Sequence, residues 1–284
     1  MTKQRPPLAV AALGVLAIVF FALPFVGLLW RAPWSDLAHI LWRHDIRTAL
    51  WLSLRTSVTA TLLAAVLGVP LAWLLARTGF PGRRAVRALA TMSMVLPPVV
   101  GGMTLLFSVG RKGLFGGVLH DWFGITLSYT TVGVVVAQMF VSMPFLVLAV
   151  EGAIHQSDPR FEGAARTLGG GEWYVFRRIT LPAIRSGLAA GMALAWARAF
   201  GEFGATITFA GNLPGTTQTM PLATYLALET DPERALVLSL VLVTVSFVVL
   251  VALRDTGPRT WYVRQVPPRT LLLSPGPTPA ASTG

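Results

Sequence analysis

The sequence predicts an all-α integral membrane protein with six transmembrane helices, and three observations carry that prediction. Of 284 residues, 54% are apolar and only 12% charged, against about 25% charged in an average soluble domain. The apolar residues fall in long unbroken blocks, not in the amphipathic stripes that suffice for a soluble core. Basic residues stand between those blocks, and 23 Lys and Arg against 12 Asp and Glu leave a formal net charge of +11. No dense basic run of the kind that binds nucleic acid occurs, so the excess reads as a topology signal. Cysteine is absent, which removes disulfides, thiolate metal sites and cysteine nucleophiles.

A helix crossing ~30 Å of hydrocarbon at ~1.5 Å per residue needs about 20 apolar residues. The first such stretch is Leu8–Trp30, after Lys3 and Arg5. It is too long for the apolar region of an ordinary secretory signal, and Trp30 and Trp34 stand where an interfacial belt belongs, so it reads as a retained anchor. The second span, Thr56–Ala76, lies between Arg55 and Arg77, and the third, Ala88–Gly110, between Arg87 and Arg111. Thr130–Val150, ending at Glu151, is the fourth. The fifth, Ser186–Phe209, is interrupted by Arg198 and Glu202, and the sixth, Ala235–Leu253, lies between Arg234 and Arg254. From about residue 255 the repeated prolines (Pro258, Pro267, Pro268, Pro275, Pro277 and Pro279) predict an unstructured tail.

Orientation follows from Lys and Arg in the short connections. With the N-terminus inside, the inner segments hold Lys3, Arg5, Arg77, Arg83, Arg84, Arg87, Arg160, Arg166, Arg177, Arg178, Arg185, Arg254, Arg259, Arg264 and Arg269, fifteen in all. The outer segments hold Arg31, Arg43, Arg47, Arg111, Lys112 and Arg234, which is six. Both termini are therefore expected in the cytoplasm, with residues 1–7 as a short cytoplasmic N-terminus, 8–254 as the membrane domain and 255–284 as the tail.

Signatures of bond chemistry are missing: no GxxxxGK[ST] phosphate loop, no HExxH and no GxSxG elbow occurs. His39, His44, His120 and His155 fall in predicted connections without metal-ligand spacing. Neither a catalytic role, a cofactor nor a metal is expected.

The longest inner connection, residues 151–185, is too polar for a span and too patterned for a linker. Asp158-Pro159 supplies an N-cap and first helical residue, and Gly169, Gly170 and Gly171 then stop that helix. A second amphipathic piece over Glu172–Ile179 sets Trp173, Phe176 and Ile179 near one face and Arg177 and Arg178 on another; Pro182 is expected to close it. A short helix with small residues Ala164 and Ala165 can seat in a groove on a partner, while an interfacial helix on lipid headgroups would use the arginines equally well.

The loop resembles the coupling-loop signature of membrane permease subunits of bacterial ATP-binding-cassette importers: Ala-Ala, three residues, Gly, nine residues, Ile-x-Leu-Pro. Ala164, Ala165, Gly169, Ile179, Leu181 and Pro182 stand at those spacings. One departure exists. The family glutamate directly precedes the two alanines, whereas here Gly163 holds that place and Glu162 lies one residue earlier, a turn of about 100° on a helix. Two further stretches resemble the molybdate branch and its sulfate relatives: Val95-Leu-Pro-Pro-Val-Val-Gly-Gly102 with Gly110–Leu114 and Asp121–Ile125, and Ala197–Phe209 with Gly211–Gly215 and Thr219–Leu222. The Gly-Glu-Phe-Gly-Ala-Thr run favours molybdate over sulfate; tungstate, of nearly the same size and charge, is not separable.

The resemblance implies a type I importer permease (MetI-like) fold in a bacterial plasma membrane, with a cytoplasmic coupling helix and no hydrolysis of its own. It implies as partners a second copy of the permease, two cytoplasmic ATPase subunits and an extracytoplasmic molybdate-binding protein. The coupling residues are then Glu162, Gly163, Ala164, Ala165, Leu168, Gly169, Ile179, Leu181 and Pro182. Sulfate or thiosulfate transport is the alternative within the family. An ion-coupled secondary transporter is the alternative outside it, disfavoured because Glu202 is the sole acid inside a span and no inverted repeat is evident.

Arg198 and Glu202 are the charged residues well inside a predicted span. One central charge costs about 2.5–3.5 kcal/mol on insertion scales, so a partner or water is required. At i and i+4 they share a helix face, and an ion pair facing the bundle interior is the preferred reading over an oxyanion ligand, because a conducting site has to release what it binds. Small and polar residues are the candidates for the translocation path: Gly101, Gly102, Thr104 and Ser108 in the third span, Gly201, Gly204, Thr206 and Thr208 in the fifth. Helix packing explains the glycines equally well, and packing is the reading for Gly187 and Gly191 at GxxxG spacing.

Overall fold

The structure, a computed structural model, describes residues 7–255, and among these all regular structure is helical. The elements are α1 (Leu8–Arg31), α2 (Leu37–Leu41), α3 (His44–Arg77), α4 (Arg83–Val95), α5 (Pro98–Val109), α6 (Gly116–Phe123), α7 (Thr131–Gln156), α8 (Pro159–Thr167) and α9 (Glu172–Val175). A π-helical turn, Phe176–Thr180, leads into α10 (Leu181–Ala183), followed by α11 (Arg185–Phe200), α12 (Gly204–Ala210), α13 (Met220–Thr230) and α14 (Pro232–Asp255). The expected Pro-rich tail lies, beyond residue 255, outside the described residues.

Among the described residues four helices, α1, α3, α7 and α14, are long and apolar enough to cross a membrane. A fifth crossing is available if α9–α10 and α11, bent by 75° at Ile184, are taken as one span. Two of the six expected spans are thus not continuous helices. The third divides at Leu96–Pro97: prolines at 97 and 98 withhold two backbone N–H donors, so α4 ends and Pro98 restarts the chain as the first residue of α5. The fifth divides at Gly201–Phe203 into α11 and α12. Pro182 also behaves differently from expectation. It does not close the second amphipathic piece but sits at the start of α10, where a missing N–H costs least, and the bend falls two residues later.

The core is built on small residues. Ala60, Ala64, Gly68 and Ala72 of α3 recur every fourth residue and are all buried. They let α7 approach closely enough that a Cβ on Gly68 would lie 3.2 Å from Val147. Leu146, Val147, Val150 and Ile154 of α7 fill that face together with Leu75 and Ile184. On the other side of α7, Gly187 and Gly191 of α11 meet Ala153 and Ala149; a Cβ on Gly191 would stand 2.9 Å from the Ala149 methyl, and one on Gly187 would overlap Ala153. This is small-residue packing on both partners, the arrangement membrane helices use where no hydrophobic drive separates protein from lipid. By contrast α1 has no buried residue.

One charged cluster ties α3 to α14. Asp45, in the first turn of α3 and outside the apolar stretch, accepts from Arg234 at 2.5 Å, pairs with Arg43 at 3.4 Å and accepts from the Ile46 backbone N–H at 3.0 Å. Burial alone works to raise its pKa; Arg234, Arg43 and the backbone bond outweigh that and bring it below the ordinary 3.8. A depressed carboxylate contributes stability that is complete above its unfolded pKa of about 3.9 and disappears as pH falls through the folded value. With the side chain 39% exposed, solvent screening limits the contribution to less than about 1 kcal/mol. Asp45→Asn should therefore lower the melting temperature of the detergent-solubilised protein at pH 6, and the gap to wild type should narrow as the pH is taken below 3.8. An equal gap above and below that pH would remove the ion pair as its cause.

Candidate functional site

The loop after α7 forms two short helices under one end of the bundle. Asp158 caps α8 by accepting from the Arg160 N–H at 2.9 Å, with Pro159 as the first helical residue. At its other end Gly169, φ +85°, donates to Arg166 and Gly170 donates to Ala165. That pair of bonds is a Schellman motif, and only a left-handed residue closes it. Arg166 reaches from α8 across the turn to Glu172 with bonds of 2.8 and 3.1 Å; this bond holds the Glu172 carboxyl below its ordinary range.

The expected coupling residues separate into two sets. Gly163, Ala164, Leu168, Gly169 and Pro182 are exposed, and Ala165 is half-buried. Leu168 is 90% exposed and, with Phe161, Trp173 and Tyr174, presents an apolar outer surface. Ile179 and Leu181 are half-buried, and Leu181 packs on the bundle core. Glu162 points the other way and is the one buried residue of α8. Trp173 stacks on Phe176, which in turn meets the edge of Trp73 on α3. Val175, not among the expected residues, is the deepest side chain of α9.

The two helix breaks lie against each other. A Cβ on Gly204 would meet Pro98 at 2.7 Å, and one on Gly102 would meet Thr208 at 2.7 Å and the Ala205 carbonyl at 2.8 Å. Gly101 is buried beside Phe140. Gly102 and Gly204 are thus occupied in the close approach of α5 to α12, while Thr206 is fully buried. Thr104 and Gly201 are exposed, and Ser108 and Thr208 half-buried.

Arg198 and Glu202 pair at 2.5 Å. No continuous helix links them, because α11 ends at Phe200 and Glu202 belongs to the break. Its second oxygen accepts from the Ala205 N–H at 2.7 Å and so satisfies a free donor of α12. Glu202 is 1% exposed, whereas the Arg198 side chain keeps 28% of its surface open. Gln138 of α7, fully buried with neither end of its amide bonded, escaped the sequence reading. The signal that could have marked it is a carboxamide side chain in the middle of an apolar span.

A bundle of apolar helices, with one expected span broken at a proline pair and another at a buried glutamate, and with an amphipathic loop at one end, is the architecture of a membrane transport component. Residues 68–260 match the family described as "Binding-protein-dependent transport system inner membrane component", and the chain belongs to that family. Its relatives include the molybdenum transport system permease protein ModB of Mycobacterium tuberculosis, 43% identical over 247 residues that cover 87% of this chain and 92% of that one. The sulfate transport system permease protein CysT of Escherichia coli is 34% identical, covering 81% of this chain and 83% of its own. Among solved structures, a bacterial ABC transporter involved in the import of the acidic polysaccharide alginate superposes with a TM-score of 0.71 at 17% identity, over 89% of this chain and 96% of that one. That likeness concerns the fold. The relatives are named as transport permease subunits, and the chain is accordingly an integral inner-membrane protein.

Proposed function

We propose that this chain is the permease subunit of an ATP-driven importer of molybdate, with tungstate, of nearly the same size and charge, as a second substrate. The observation that carries the reading is the 43% identity to a molybdenum permease over most of both chains, against 34% to a sulfate permease. Six crossings follow if α4–α5 and α11–α12 each count as one broken span beside α1, α3, α7 and α14. Both termini then lie in the cytoplasm, in keeping with the fifteen-to-six distribution of Lys and Arg. Residues 8–254 form the membrane domain, and two copies enclose the path between them.

The surface of Gly163, Ala164, Leu168 and Gly169 is the seat for a cytoplasmic ATPase subunit, one per copy. A short helix lined by small residues admits close backbone approach, and the exposed Phe161, Leu168 and Trp173 supply apolar area. Hydrolysis occurs in that partner, and the permease supplies the element with two arrangements that it biases. An external molybdate-binding protein delivers the anion to the outer loops. Of the eight path candidates, Thr104, Ser108, Gly201 and Thr208 remain, since Gly101, Gly102, Gly204 and Thr206 are buried among helices. Arg198, neutralised by Glu202, is a structural partner and not an anion trap.

The test is uptake into proteoliposomes carrying the permease with its ATPase subunits and binding protein. ATP-dependent accumulation of molybdate is expected, competed by tungstate and not by an equal concentration of sulfate. Effective competition by sulfate moves the substrate to the sulfate branch. Robust uptake driven by an imposed proton gradient with no ATPase subunit present sinks the importer reading altogether.

A further inference from the structure

We propose that Glu162 is not a contact to the ATPase but an internal clasp that joins the coupling loop to the span α3, and that Arg77 is its partner in transmitting closure. The proposal rests on the reading of this loop as the coupling element. Glu162 is the sole buried residue of a nine-residue helix, so no fully buried apolar side chain of α8 anchors it to the bundle. Its Oε1 accepts from Arg77 Nε at 3.3 Å, from Arg77 Nη2 at 3.2 Å and from the Thr180 hydroxyl at 3.0 Å. Arg77 Nη2 also donates to the Ser157 hydroxyl at 2.8 Å. Four elements meet at this node: the last residue of α3, the C-terminal cap of α7, the first turn of α8 and the π-helical turn that leads into α11.

The chemistry suits transmission. A carboxylate that is 5% exposed beside a guanidinium that is 16% exposed sits where little solvent screens the pair; removing Glu162 leaves the Arg77 guanidinium without its carboxylate, and removing Arg77 leaves Glu162 only the longer ionic contact to the more exposed Arg166, at 3.9 Å from its other oxygen within α8 itself. Directional bonds to one oxygen fix the angle of α8 as well as its distance. Arg77 in the last turn of α3 is also favoured by the helix dipole. A displacement of α8 is therefore passed to α3, the longest of the described helices and the one packed most extensively on α7, and through Thr180 toward α11. The one-residue offset of the glutamate explains the direction: the position directly before Ala164 is exposed with open space around it, and the preceding one, turned by about 100°, faces the bundle. An acid directly before the alanines would look outward; Glu162 looks inward.

The experiment compares Arg77→Gln, Glu162→Gln and the exchange Arg77→Glu with Glu162→Arg in the assembled complex. Three quantities are measured: ATP-dependent molybdate uptake per inserted copy, co-purification of the ATPase subunits, and stimulation of ATP hydrolysis by the loaded binding protein. Both single variants are expected to lose uptake by roughly tenfold and to lose the stimulation while retaining the ATPase subunits, and the exchange should recover part of both. Wild-type uptake in Arg77→Gln overturns the clasp. So does Glu162→Gln releasing the ATPase subunits while Arg77→Gln holds them, since Glu162 is then an ATPase contact. Reduced insertion with normal uptake and stimulation per inserted copy leaves the pair merely structural and likewise overturns its coupling role. If Gly169→Asp stops uptake while Arg77→Gln does not, the clasp alone falls; if neither stops it, the reading of the loop falls first.

Discussion

Replacing Gly169 by aspartate is expected to abolish ATP-dependent uptake while leaving the protein inserted. Gly169 closes the Schellman motif of α8 at φ +85°, and nothing lies within 4 Å of where its Cβ would stand. The side chain therefore meets no steric obstacle, and the left-handed backbone costs roughly 1–2 kcal/mol. That is too little to unfold a bundle held by the α3–α7 and α7–α11 contacts. What changes is the exposed face of the loop, where a carboxylate appears beside Leu168 and Ala164. Desolvating an unpaired charge at a partner contact costs several kcal/mol, enough to prevent docking. Gly169→Asn separates the two causes, because asparagine tolerates the left-handed region without bringing a charge. It should retain most of the activity. Normal uptake in Gly169→Asp, with insertion verified by protease protection, would remove this loop as the coupling site.

The second large effect is expected at Gly204. A methyl there would stand 2.7 Å from Pro98 and 3.1 Å from the Val99 nitrogen, and both neighbours are held by a helix start that cannot yield cheaply. Overpacking of this kind costs about 1–3 kcal/mol for small additions and more as the side chain grows. Gly204→Val should sharply reduce the yield of folded protein, and Gly204→Ala should lower its thermal stability. Gly201→Ala is the informative companion. Gly201 is exposed, and a Cβ would meet nothing nearer than the Ala197 carbonyl at 3.5 Å, so yield should be preserved while uptake changes if the path runs beside it. A stable, fully expressed Gly204→Val would show that α5 and α12 do not depend on this contact.

These two glycines show how far a sequence reading reaches. Gly201 and Gly204 are three residues apart in one run, and composition treats them alike. The structure separates them because α12 lies on α5, so one glycine is a contact and the other a surface. Gly187 and Gly191 were different: their four-residue spacing on an apolar helix already named a packing face, and Ala149 and Ala153 on α7 complete it. Spacing along one helix is legible, while the identity of the facing helix is not.

The same division runs through the loop. Asp158-Pro159 and the three glycines placed the ends of α8 because capping and left-handed closure are properties of a few consecutive residues. The continuation through the π-helical turn, with Pro182 inside and not at the end, depends on Thr180 and Val175 being drawn into the bundle, which no local pattern records. The two broken spans fall between these cases. Pro97-Pro98 announces its own break, whereas Gly201–Phe203 breaks because buried Glu202 is held by Arg198 and caps α12.

By itself, then, the sequence determined the solvent, the apolar segments and the chemical character of the loop at residues 151–185. Hydrophobic length, charge spacing and caps act over a few neighbouring residues, so they can be read in order along the chain. Only the tertiary structure decided that Glu162 turns inward to Arg77, 85 residues away in sequence, that Gly102 and Gly204 are spent on helix contact, and that Glu202 binds a backbone as well as an arginine. Each of those is settled by which surfaces meet once the helices pack, where a buried charge must find a partner and a close approach leaves no room for a side chain.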